Sequence, residues 1–253
     1  PNNEGIAYSE WIMVMLPEQS RYLTNLTIYY LDPTKPEDVY LFIPALRRSL
    51  RLSTAARCSP FIGSDLTQDD PRTGFNGGIA RFDAKYIRDQ NILTIVNSGP
   101  KDFGNPAYFY PSCLFPTPKV GKWEVHSTWL IDTRRIPSQR KGYCYGKQMM
   151  WVDKYDGNLL WKDNYDTSMR LWKSALLVHI ASPVPGQGIQ FETGNFIEVW
   201  YDQQNDHMSW YVTSDPQGRW YLANQACKNA NGVDYYDNVK QYNTVAGLAQ
   251  VMR

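Results

Sequence analysis

The densest acid chemistry in the chain lies in Ser64-Asp65-Leu66-Thr67-Gln68-Asp69-Asp70, which is followed by Pro71. The stretch reads as a capped short helix, with Asp65 and Asp69 on one face at i, i+4. Two carboxylates so placed suit a hard cation or a general acid/base pair, and Asp65, Asp69 and Asp70 are the one candidate metal cluster. A plainer reading is that Ser64 or Asp65 caps the helix and the acids suit its positive N-terminal end. They can also pair with the nearby Arg47, Arg48 or Arg51. Those arginines suit a phosphate or an acidic lipid head group, or else they form a solvated strand face. The familiar catalytic patterns fail. Gly142-Tyr143-Cys144-Tyr145-Gly146-Lys147 is one residue short of a phosphate loop and continues into Gln148 instead of Ser or Thr. The chain has no G-x-G-x-x-G, no G-x-S-x-G and no H-E-x-x-H. His126, His179 and His207 are scattered and read as structural, although two of them could meet in space.

The elements that must carry these residues are strands. Period-two alternation recurs along the chain. Glu10 to Leu16 is a short apolar strand, and Tyr22 to Leu31 sets Leu26, Ile28 and Tyr30 against Thr27 and Tyr29. A Pro/Asp-rich turn at Asp32 to Asp38 joins it to Val39–Pro44, and the basic strand Leu46 to Ser53 follows. Strands at Ile79–Ile87 and Ile92–Asn97 are expected to meet at a tight polar turn, Asp89-Gln90-Asn91. Pro100 to Lys122 reads as a long irregular loop, and Trp123 to Ile131 as a clear strand. Lys147–Asp153 and Asn158–Asn164 form a hairpin closed by Asp156-Gly157, a strong turn signal. Met169 to Ile180 is the longest strand-like run. Phe196–Asp202 and Met208–Thr213 form another hairpin, and a short helix is expected near Val245 to Met252. About eleven strands in meander order predict one large antiparallel sheet, which must curl, split or close to avoid bare edges. Runs with apolar residues on both faces, such as Met169–Ile180, need cover on both sides. No composition break divides the 253 residues, so residues 1–253 read as one domain.

Composition narrows the function. Lys plus Arg is 26 against 25 for Asp plus Glu, a net charge of +1 that gives no reason to expect a nucleic-acid partner. The longest apolar runs, Trp11–Leu16 and Ala175–Ala181, fall far short of the ~20 residues of a membrane-spanning helix. Nine Trp, eighteen Tyr and nine Phe make the chain 14% aromatic, which argues against disorder and for strands. Rings on a concave sheet face can line a lipid pocket or stack on sugars; they can equally be core. None of the cysteines Cys58, Cys113, Cys144 and Cys227 forms a C-x-x-C pair, which disfavours a zinc ribbon or a thioredoxin-like site. Two disulfides or four buried thiols are both open. Cys113 and Cys144 flank one aromatic strand region and are the expected bridge.

The run Pro36-Glu37-Asp38-Val39-Tyr40-Leu41-Phe42-Ile43-Pro44-Ala45-Leu46-Arg47-Arg48-Ser49-Leu50-Arg51-Leu52-Ser53, with Gly63-Ser64-Asp65-Leu66-Thr67-Gln68-Asp69-Asp70 after it, resembles the domain-of-unknown-function family 1329. A second match, Met149 to Asp153 with Asn164-Tyr165-Asp166 and Leu171-Trp172, looks like the family's second strand pair. The resemblance implies an architecture like the LolA/LolB lipoprotein carriers: a curved antiparallel half-barrel with short helices lidding a hydrophobic hollow, and long loops. It also implies export to the periplasm, and association with an RND-type transporter or an outer-membrane protein. It carries over no catalytic residue. Family chains are typically longer at the N-terminus, so part of the fold is expected to be missing or completed by a second chain.

The combined expectation is a mainly β, non-enzymatic carrier of a lipid or other hydrophobic small molecule in the periplasm or cell envelope, with no cofactor. Trp129, Trp151, Trp161, Trp172, Trp200 and Phe42 are the candidate ligand-binding rings, and Arg47, Arg48 and Arg51 the candidate head-group contacts. A structural module of a surface assembly is the alternative. A carbohydrate-active enzyme using Asp65 with Asp69 or Asp70 is the third reading.

Overall fold

A computed structural model describes residues 5–15, 17–70, 78–96, 106–112, 115–179, 181–184, 188–191, 197–212 and 244–250. Among them are thirteen strands, all antiparallel, with short 3₁₀ turns in several of the connections, and no helix long and apolar enough to cross a membrane. The fold is mainly β, as expected. The chain divides into two compact units, Pro1–Ala56 with Gly78–Ala80 and Asn224–Arg253, and Arg57–Gly77 with Arg81–Ala223. The strands fall into sheets of four, two and seven, where alternation alone suggested one sheet.

The first unit holds β1 (Ile6–Met13), β2 (Thr24–Tyr30), β3 (Asp38–Ile43) and β4 (Arg48–Arg51) in sequential order. Alternation along β2 places Leu26 and Ile28 on one face, where they pack with Phe42 and with Leu248 of α1 (Val245–Leu248). Thr244 caps that single turn of helix by accepting from the Gly247 N–H. Asp32 accepts from the Thr34 N–H at 2.8 Å, a side-chain turn that starts the β2–β3 connection.

The second unit holds β5 (Phe82–Val96), β6 (Lys122–Arg135), β7 (Lys147–Asp153), β8 (Leu159–Tyr165), β9 (Leu171–Val178), β12 (Ile197–Asp202) and β13 (His207–Val212). The sheet order is β13-β12-β9-β8-β7-β6-β5, a meander interrupted by a separate hairpin of β10 (Ala181–Val184) and β11 (Gly188–Phe191). The Asp-Gly turn between β7 and β8 is present, with Gly157 at φ +77°. The expected turn at Asp89–Asn91 is absent. β5 runs straight through those residues, paired to β6 from end to end with one bulge between Tyr86 and Arg88. The polar residues there belong to an exposed edge strand, where Asp89 accepts from Tyr86 and pairs with Lys154.

This sheet curls. Flat strands ~4.8 Å apart would put β5 and β8, three positions apart in the order, ~14 Å from each other. Instead the Trp161 indole on β8 donates to the Leu93 carbonyl on β5 at 3.0 Å, and Ile95 of β5 packs beside Leu176 of β9. Two irregular segments cover the two faces. Phe109, Phe115 and Val120 lie against one, and residues 57–70 against the other. Residues 64–70 form no α-helix, contrary to the expectation from the acids and Pro71. The Asp70 carboxylate accepts from the Thr67 N–H at 2.6 Å and the Thr67 hydroxyl accepts from the Asp69 N–H at 3.2 Å, which folds the backbone into a local turn.

Candidate functional site

Strand register sorts the side chains of the curled sheet into two faces of different chemistry. On one face a polar row crosses five strands: Thr133, Gln148, Asn164, Lys173 and Asp202, each the register partner of the next. All five are buried. Residues 57–70 close over this row. Asp70, with no exposed surface, accepts from Tyr145 at 2.6 Å and from Asn164 and Lys173 at 3.3 Å each. Asp69, equally buried, pairs with Arg57. Asp65 takes His207 at 2.7 Å and Ser209 at 2.6 Å. The three acids therefore point to three different partner sets and do not converge. Among the described residues no group of three or more His, Cys, Asp or Glu could hold a metal ion. Burial lowers the Lys162 ammonium to about 8, and burial with the neighbouring Asp70 lifts the Tyr145 phenol well above its ordinary value.

The covalent tie on this side is Cys58–Cys144. It replaces the expected Cys113–Cys144 bridge; Cys113 lies outside the described residues. The reason is the closure just described. Residues 57–70 lie against the Tyr143–Tyr145 strand entry, which brings Cys58 to Cys144 across a separation of 86 residues.

The other face carries a pocket of about 380 Å³ lined by Phe115, Trp161, Ser174, Leu176, Val199, Tyr201 and Gln203. Trp161, Leu176 and Val199 are register neighbours on β8, β9 and β12 and form an apolar floor. Phe115 stacks on Trp161, with centroids 6.3 Å apart, and makes the wall. One end is polar. Ser174 donates to Asp163 at 2.7 Å, Gln203 reaches Ser174 at 3.4 Å, and Tyr201 donates to Asp206. Burial raises the Asp163 carboxyl above its usual range.

Of the residues singled out in the sequence, Trp161 alone lines this pocket. Trp151 shares its face, paired with Trp161 across β7 and β8. Trp129 and Trp200 point to the opposite face. Trp129 is exposed; Trp200 is fully buried, packed against Leu66, and its indole donates to Glu198 at 2.5 Å. Trp172 is the extra residue of a β-bulge between β8 and β9, which turns it toward Tyr145 and lets it donate to Asp202 at 3.0 Å. Phe42 is core of the first unit. Arg47, Arg48 and Arg51 are exposed at β4 and its entry in that unit, Arg47 at φ 48° and Arg51 paired with Asp38. The pocket residues missed in the sequence are Leu176, Val199, Ser174, Tyr201, Gln203 and Phe115. For the four strand residues the signal was the shared alternation phase with Trp161, which becomes a site only when register is known. Phe115 and Gln203 sit in connections and carry no such signal.

The profile of the family described as "Protein of unknown function (DUF1329)" matches residues 1–244. No curated protein matches the chain. Among solved structures, the chain is similar to a putative outer membrane lipoprotein-sorting protein domain from Vibrio parahaemolyticus, at 16% identity and a TM-score of 0.56 over 82% of this chain and 69% of that one. A DUF1329 family protein from Desulfovibrio piger gives 16% identity and a TM-score of 0.54 over 79% and 68%. A LolA superfamily protein from Nitrosomonas europaea gives 12% and 0.47 over 85% and 76%. The disulfide-tied interior and the curled meander are thus those of a chain that belongs to the DUF1329 family.

Proposed function

We propose that this protein is a non-enzymatic carrier of a hydrophobic, lipid-like ligand in the periplasm or cell envelope. The observation that supports it most is the aromatic-walled pocket on one face of the seven-stranded sheet. Its volume of about 380 Å³ lies within the ~300–1,000 Å³ common for small-molecule sites. Covering ~300 Å² of apolar ligand surface at ~25 cal/mol/Å² gives about 7 kcal/mol before ordering costs, which limits retention to roughly micromolar. Such affinity suits a ligand that is passed on to a membrane partner. The likeness to a putative lipoprotein-sorting domain agrees with this reading. The acids speak against hydrolysis of glycans, since Asp69 and Asp70 have no exposed surface to offer a substrate.

The test is native mass spectrometry of the full chain purified from an envelope fraction, with lipid extraction and uptake of the neutral probe phenylnaphthylamine. A bound lipid and saturable probe uptake are expected. A chain that emerges free of lipid and ignores the probe overturns the reading.

A further inference from the structure

The polar end of the pocket has a fixed hydrogen-bond direction. Asp163 accepts the Ser174 hydroxyl hydrogen at 2.7 Å, so the Ser174 oxygen can only accept from the pocket side, and the Gln203 amide N–H already donates to it at 3.4 Å. The Tyr201 hydroxyl hydrogen is likewise directed at Asp206. The hydroxyl hydrogens along this wall thus run toward two carboxylates, and apart from the second amide N–H of Gln203 what the wall turns outward is oxygen lone pairs. Among the described residues no Lys, Arg or His lines the pocket. Lys147, a cation whose field reaches Asp163, is held over the Tyr165 ring at 3.8 Å.

We infer that the pocket takes an amphiphile whose head group donates hydrogen bonds, a hydroxyl or an ammonium, and rejects one headed by a carboxylate or phosphate. This rests on the carrier reading and names its ligand class. An anionic head would bring a second negative charge beside Asp163 and find a single amide donor, that of Gln203, among acceptors, whereas an alcohol or amine meets the lone pairs directly. The basic residues expected from the sequence to hold an anionic head, Arg47, Arg48 and Arg51, belong to the other unit and are not among the pocket's lining residues.

The experiment is competition against phenylnaphthylamine on the full chain at pH 8, with dodecanol, dodecylamine and dodecanoate as competitors. Dodecanol and dodecylamine are expected to displace the probe at concentrations at least about tenfold lower than dodecanoate, a difference of about 1.4 kcal/mol. Asp163→Asn is expected to narrow that gap by improving dodecanoate. The Ser174→Ala variant, which leaves the carboxylate in place, is expected to weaken dodecanol while dodecanoate stays poor. Equal displacement by all three, or preference for dodecanoate, overturns the head-group inference and leaves the carrier reading standing. Displacement by none of them, with no uptake of the probe, overturns both.

Discussion

Asp70 gathers hydrogen bonds from Thr67, Tyr145, Asn164 and Lys173 in an interior without water access. A carboxylate so enclosed is stable only while its partners remain, and removing it strands the Lys173 ammonium in the interior. Asp70→Ala is therefore expected to cost about 3–5 kcal/mol, read from the midpoint of urea unfolding. Conversion of Asp65, which shares an exposed His207, should cost far less. Lys162 gives a pH signature. Its folded value of about 8 lies below the ordinary 10.5, so between those values the unfolded chain binds more protons than the native one. Stability must then rise with pH from about 8, while below 8 both states are protonated and the penalty of burying the charge is constant. The rise should reach about 2–3 kcal/mol by pH 10, beyond which the buried tyrosines Tyr143 and Tyr145, raised well above 10, act in the opposite sense. Lys162→Met should flatten the profile between pH 8 and 10; an unchanged slope in that variant contradicts the assignment. The sequence showed three acids close together but not their partners, because Asn164, Lys173 and Tyr145 reach Asp70 from 75 to 103 residues away.

At the scale of elements, the seven-stranded sheet depends on the segment 57–70 that seals its polar face. Cys58–Cys144 closes a loop with a sequence separation of 86 and fastens this segment to the β7 entry. Replacing both cysteines by serine, or reducing the bond, is expected to cost about 2–5 kcal/mol, read from thermal or urea unfolding with and without reductant. Peptide mapping should recover Cys58 and Cys144 in one linked fragment. Hairpins were legible where a turn has its own chemistry, as at Asp156-Gly157 and Gln203–Asp206, because local backbone preference decides them. The false turn at Asp89–Asn91 and the false helix at 64–70 share a cause. Each polar run also engages side chains from elsewhere in the chain, Lys154 at Asp89 and Tyr145 and His207 at Asp70 and Asp65, so composition alone suggested a break or a cap where the chain makes an edge strand or a strap.

For the whole molecule, alternation and ring content were enough to reach a mainly β antiparallel fold, since period two and aromatic strands survive any register. They were not enough to place the pocket. Of six rings proposed, one lines the pocket, and the rest are divided between faces and units by register and by one bulge. Trp161 is thus both the floor of the proposed site and its natural reporter. The most direct measurement is quenching of tryptophan fluorescence by dodecyl chains brominated at the tail, presented as the alcohol and as the acid. The carrier account predicts saturable quenching at roughly micromolar alcohol, with most of it lost in Trp161→Phe. Quenching that is absent for both ligands, or that is undiminished in Trp161→Phe, contradicts it.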